Sequence, residues 1–221
     1  MTSSLDQPDR SPTFTVLTPT YNRASFLPSV FASLERQTFR DFEWLVVDDG
    51  STDDTRDVVA QLAATATFPV RYHWQSNGHK KKAMKAGFAM AQAPYTIVLD
   101  SDDELLPEAL QIFQDAWSSI EERVRDRFAS VRALCVDEKG KIVGDSFAKP
   151  VLDTSYSELV YRFRIAGEKL SCDRTDLLRL LEIPEEVRGY VPEHVFWTQL
   201  SGPYLTRAIN RPVRVYKETA G

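Results

Sequence analysis

Short apolar runs that end abruptly in polar loops recur along the first half of the chain, with amphipathic stretches between them. Phe14-Thr15-Val16-Leu17 reads as a strand emptying into the loop Thr18-Pro19-Thr20-Tyr21-Asn22-Arg23. Phe26, Leu27, Val30, Phe31 and Leu34 then recur at helical spacing. Phe42-Glu43-Trp44-Leu45-Val46-Val47 predicts a second strand ending in Asp48-Asp49-Gly50-Ser51. Ser51 or Thr52 is placed to cap the next helix, which carries Val58, Val59 and Leu62 inward. Residues 70–74 predict a third strand, residues 80–91 a helix, and Tyr95-Thr96-Ile97-Val98-Leu99 a fourth strand. Leu106, Leu110, Phe113, Trp117 and Ile120 continue at helical spacing. Strands separated by helices imply crossover connections and a mostly parallel sheet, an α/β fold. Ligands of such open sheets bind beyond the carboxyl ends of the strands.

The second half reads differently. Residues 128–136, the turn Asp137-Glu138-Lys139-Gly140-Lys141, and Ile142-Val143 predict a hairpin. Residues 156–163 predict a helix, residues 169–172 a short strand and residues 174–181 a compact helix. Another helix opens at Pro192-Glu193-His194-Val195-Phe196-Trp197. Residues 204–209 and 213–216 are strand-like, interrupted by Asn210-Arg211-Pro212. Residues 1–12 are polar and lack the basic-then-apolar form of a signal peptide, so a disordered leader is expected. The remainder, 13–221, is expected to be a single domain with halves at 13–120 and 121–221.

Composition changes this picture only by exclusion. With 43% hydrophobic and 27% charged residues in 221, the chain can bury a core without staples. Cys135 and Cys172 lie far apart and match no metal spacing, which fits buried thiols and a cytoplasmic location. A net charge of −5 argues against a nucleic-acid surface, and no apolar stretch is long enough to span a bilayer.

The densest chemistry is Asp100-Ser101-Asp102-Asp103, directly after the fourth strand. Three carboxylates within four residues need a positive partner, and a hard divalent cation with oxygen ligands is one answer. A solvated turn capping a helix that starts at Glu104 is the other. Three polar segments distant in sequence, residues 18–23, Asp48-Asp49 and residues 100–103, all follow strand carboxyl ends and therefore converge on one edge.

Together, Val16-Leu17-Thr18-Pro19-Thr20-Tyr21-Asn22-Arg23, Gln37-Thr38-Phe39-Arg40-Asp41-Phe42-Glu43, Val47-Asp48-Asp49-Gly50-Ser51-Thr52-Asp53 and Leu99-Asp100-Ser101-Asp102-Asp103 strongly resemble glycosyltransferase family 2. The resemblance covers residue 13 to about residue 217. It implies a GT-A fold and inverting transfer of a sugar from a nucleotide-diphosphate donor, a UDP-sugar being the first expectation. The acceptor would be a glycan, a lipid-linked saccharide or a protein, and the cofactor Mn²⁺ or Mg²⁺. It makes Asp100-Ser101-Asp102 the acid-x-acid element, with Asp102 and Asp100 on the metal. Thr18, Pro19, Thr20, Tyr21 and Arg23 become a nucleoside cradle, and Asp49 the acceptor of the base ring N–H. Asp48 is expected only to offset a helix dipole, and Asp103 to hold a helix N-terminus or reach the sugar. Glu193 takes the place of the base that removes the acceptor hydroxyl's proton, with His194 as the alternative. Relatives often carry Gly-Lys-His or Gly-x-x-x-Ala-Arg-Asn where this chain has Asn77-Gly78-His79-Lys80-Lys81-Lys82-Ala83-Met84-Lys85. Lys80 and Lys81 are assigned to the diphosphate, Lys82 and Lys85 to a solvated face. Peripheral association with the membrane's inner face and a homodimer are further expectations. The rival reading is a catalytically inactive GT-A module that binds a nucleotide or glycan.

Overall fold

The computed structural model describes residues 11–182 and 194–217, with only the backbone at 194–196. Its first half is a parallel four-stranded sheet in the order β3-β2-β1-β4. The strands are β1 (Phe14–Thr20), β2 (Phe42–Asp48), β3 (Val70–Trp74) and β4 (Tyr95–Val98). Helices α1 (Leu27–Glu35) and α2 (Thr55–Thr65) cover one face and α3 (Lys80–Met90) the other. Both faces of β1 and β2 are therefore buried: Val16, Trp44 and Val46 pack with Leu27, Val30 and Val59. Leu17, Leu45 and Val47 pack with Ala83, Met84 and Phe88. Contact on the second face is close at Gly87, where an added Cβ would lie 2.4 Å from Leu17 Cδ1. A side chain there would hold α3 off the sheet.

The chain continues through β5 (Glu104–Leu105), α4 (Ala109–Ser118), α5 (Glu122–Arg125), β6 (Phe128–Val136) and β7 (Val151–Thr154). A π-helical turn at Glu158–Arg162, β8 (Lys169–Arg174), α6 (Thr175–Leu178), α7 (His194–Gln199) and β9 (Leu205–Val215) follow. The full path is β3-β2-β1-β4-β8-β6-β9-β5, with β7 on β9. Expectation and structure part here. The sheet is mostly parallel only in its first half, because β8 runs antiparallel to both β4 and β6, and β5 and β7 run antiparallel to β9. Strands buried on both faces look alike in sequence whichever way they run.

Other boundaries moved for local reasons. β1 runs to Thr20, so Thr18, Pro19 and Thr20 are buried strand residues rather than a loop. Neither Ser51 nor Thr52 caps α2; both are bonded to Asn22, and the helix starts at Thr55, whose N–H and hydroxyl donate to Asp53 Oδ1. No helix follows the acidic tetrapeptide: Glu104–Leu105 pairs with β9, and α4 waits until after Pro107. The hairpin after β6 shrinks to one bridge, Val136 to Ile142, and β7 forms where the sequence pattern predicts no strand. β9 is continuous through residues 210–212; its register on β6 slips at Pro212, which has no N–H to pair. Asn210 secures the irregular stretch, donating to the carbonyls of Phe147 and Lys149.

Candidate active site

Three strand ends meet at one edge, as the parallel order requires. Asp49 N–H donates to Thr20 O at 2.8 Å, and Leu99 N–H to Leu17 O at 2.9 Å, so residues after β2 and β4 flank those after β1. The turn after β1 is held open toward the edge. Asn22 adopts φ +51°, its N–H donates to Ser51 Oγ at 2.8 Å, and its Oδ1 accepts from Thr52 N–H at 2.8 Å. The Ala24 N–H donates to Asp53 Oδ2. Tyr21, 48% exposed, and Arg23 project from this clasped turn.

Each carboxylate of the tetrapeptide faces a different cation. Lys80 Nζ lies 2.7 Å from Asp100 Oδ1, and Arg23 Nη1 lies 4.0 Å from Asp102 Oδ2. The side chains of Asp100 and Asp102 keep 35% and 19% of their surface exposed. Asp103 is 1% exposed and turned inward, 3.0 Å from Arg214 Nη1, and accepts the Lys217 N–H at 3.1 Å. Burial pushes its carboxyl up to about 6, against the pull of Arg214. The tetrapeptide therefore splits: Asp100 and Asp102 line the edge, whereas Asp103 ties β9 to the sheet and caps no helix. Among the described residues, no group of three or more His, Cys, Asp or Glu side chains is placed to hold a metal.

The remaining expected residues divide similarly. Thr18 does not reach the edge, since its Oγ1 accepts the Trp44 indole N–H at 3.0 Å and both residues are fully buried. Thr20 Oγ1 is buried without a hydrogen-bond partner. Asp48 is buried and accepts from the Ser51 N–H and the Tyr72 hydroxyl, so it braces the turn. Asp49 is 2% exposed and bonded to Gln75 and Gly78. Ser101 is 8% exposed; Lys81 is buried at the start of α3, while Lys82 and Lys85 lie on its exposed side. Glu193 lies outside the described residues, and of His194 only the backbone is described. Trp197 packs in the cluster holding Leu17 and Val47.

The description "Glycosyl transferase family 2" belongs to the family model that matches residues 15–124, the stretch that builds this edge. The chain belongs to glycosyl transferase family 2. It is 29% identical over 216 residues to the GalNAc(5)-diNAcBac-PP-undecaprenol beta-1,3-glucosyltransferase of Campylobacter jejuni, covering 93% of this chain and 65% of that protein. The validoxylamine A glucosyltransferase of Streptomyces hygroscopicus is 38% identical over 104 residues, 45% of this chain and 24% of that protein. Among solved structures, S. aureus TarS 1-349 superposes with a TM-score of 0.74 at 22% identity, over 93% of this chain and 60% of that one. The mannosyltransferase PcManGT of Pyrobaculum calidifontis, in complex with GDP-Man and Mn²⁺, gives 0.62 at 21% identity, over 93% and 56%. These likenesses establish the GT-A fold. The chain spans less than two thirds of the length of these relatives.

The family 2 motifs thus found the edge but not what supports it. Arg214 and Lys217, which hold Asp103, carry no sequence signal because they arrive from the last strand. Gln75 lies just before, and Gly78 within, the Asn77-Gly78-His79-Lys80 segment, where the lysines are the more visible chemistry in the sequence; both hold Asp49. Trp74, 54% exposed at the end of β3, lines a pocket with Asp48, Asp53 and Tyr72. Among the described residues no helix is long and apolar enough to cross a membrane.

Proposed function

We propose that this family 2 domain transfers a glycosyl group, with inversion, from a nucleoside-diphosphate donor to a saccharide acceptor. The observation that carries this reading is the convergence of Tyr21 and Arg23, Asp49, and Asp100 with Asp102 on one edge of a GT-A sheet. In this reading Asp49 accepts from the base, and Tyr21 and the unpartnered Thr20 hydroxyl complete the nucleoside cradle. Arg23, Lys80 and Lys81 meet the diphosphate.

The donor set at Asp100 and Asp102 fits Mn²⁺ or Mg²⁺. Two partly exposed carboxylates are the share such ions take from a protein when phosphates supply the rest. The cation, when bound, neutralises the departing diphosphate as a Lewis acid. Lys80 and Arg23 are the residues that would yield their carboxylates and turn to the phosphates. Glu193 is the proposed base: it directly precedes α7, and a carboxylate near the acceptor can take the proton of the attacking hydroxyl as the new bond forms. A lipid-linked saccharide is the proposed acceptor, following the undecaprenol-linked substrate named for the Campylobacter relative.

A thermal-shift panel of UDP, GDP, TDP and CDP with and without Mn²⁺ tests the site. Stabilisation by one nucleotide that requires metal in the parent chain and vanishes in Asp102→Asn is expected. Stabilisation by none, or metal-independent stabilisation untouched by Asp102→Asn, overturns the reading.

A further inference from the structure

The segment between β3 and α3 wraps the acidic turn after β2. Gln75 N–H donates to Asp48 O at 2.9 Å, and Asn77 Nδ2 to Asp49 O at 2.9 Å. Gly50, at φ +86°, lies against it so closely that an added Cβ would sit 2.8 Å from Asn77 N. At the Asp49 carboxylate, Gln75 Nε2 donates to Oδ1 at 2.7 Å. The Gly78 N–H is shared between Oδ1 and Oδ2, both at 3.0 Å.

A carboxylate offers about four lone-pair sites, two on each oxygen. On Asp49 both sites of Oδ1 are taken and one of Oδ2. One acceptor site remains. With 2% of the residue exposed, the carboxylate has no room to turn both oxygens toward a ligand while these bonds stand.

Nucleobases differ in what they ask of a carboxylate. Guanine presents two adjacent donors, N1–H and N2–H, and pairs with both oxygens at once. Uracil and thymine present a single ring N–H between two carbonyls. We infer that Gln75 and the Gly78 amide are specificity determinants: by occupying Oδ1 they leave Asp49 able to accept one N–H, which selects a uridine or thymidine diphosphate over a guanosine diphosphate. This rests on the proposed role of Asp49 at the base and adds the reason for the choice among bases. A guanine bound here leaves its second N–H unsatisfied against an oxygen already in use.

The test is calorimetric titration of the chain with UDP, TDP and GDP in the presence of Mn²⁺, repeated for Gln75→Ala and Gln75→Met. The parent chain should bind UDP or TDP about tenfold or more tightly over GDP, the worth of roughly one hydrogen bond. Both variants open Oδ1 and should narrow that ratio, chiefly by gaining affinity for GDP; matching thermal melts show that they fold. Hydrogen exchange gives a second reading, in which the Gly78 amide stays protected in the UDP complex. A parent chain that prefers GDP, an unchanged ratio in both variants, or exposure of the Gly78 amide on UDP binding overturns the inference. Binding of several nucleotides without preference removes the inference alone, whereas binding of none removes the proposed function with it.

Discussion

Thr18→Val separates structural from ligand-facing roles in the strand that opens the site. Its hydroxyl accepts the Trp44 indole N–H at 3.0 Å, and both residues are 0% exposed. Valine keeps the shape and the β preference but leaves the indole N–H buried and unpaired, which costs about 1–3 kcal/mol. The methyl that replaces the hydroxyl returns up to about 0.8 kcal/mol of apolar burial. A net loss of about 1–2 kcal/mol follows, or roughly 2–8 °C in Tm for a chain of this size. Urea unfolding at 25 °C reads the loss, and UDP titration in the presence of Mn²⁺ reads the site. Stability should fall while nucleotide affinity holds. In a Trp44→Phe background the same change should cost about 1 kcal/mol less, because the orphaned donor is already gone. A variant as stable as the parent, or one that keeps its stability and loses about tenfold or more in UDP affinity, would refute the reasoning and return Thr18 to the nucleoside cradle.

Three further outcomes are expected. Glu193→Gln should bind donor normally and lose transfer by about a hundredfold or more, as removal of a general base does; turnover within tenfold of the parent in a radiolabelled-sugar assay sinks the assignment. Gly87→Ala puts a Cβ 2.4 Å from buried Leu17 Cδ1. Overpacking of about 1–3 kcal/mol should outweigh the roughly 1 kcal/mol gain in helix preference, and Leu17→Val should relieve it in a chemical-denaturation series. Finally, burial raises the Asp173 carboxyl to about 6, against Arg132 and the Ser171 and Ser130 hydroxyls. A raised native pKa favours the protonated fold, so this contribution is full below about pH 4 and lost as pH rises through about 6. Unfolding measured across that window should show a parent-minus-Asp173→Asn stability difference that shrinks as pH rises; a difference that grows contradicts the assignment.

The sequence by itself determined where the polar strand ends converge. Period and length distinguished β1, β2, β3 and β4 from α1, α2 and α3, and this alternation fits crossover connections between parallel strands, whose carboxyl ends share one side. That placed residues 18–23, Asp48-Asp49 and residues 100–103 together, and the resemblance to family 2 singled out Tyr21, Arg23, Asp49, Asp100 and Asp102 among them. Only the tertiary structure decided which polar side chains near the edge are claimed by the fold. Thr18 and Asp103 carry the same polar groups as their neighbours, but Trp44 and Arg214 claim them from 26 and 111 residues away. Gln75 and Gly78 claim most of Asp49 in the same way. A buried polar group takes whichever partner the fold brings within about 3 Å, and that partner is set by strand order and register. Local pattern reports hydrophobic period; it does not report which distant chain will satisfy a carboxylate.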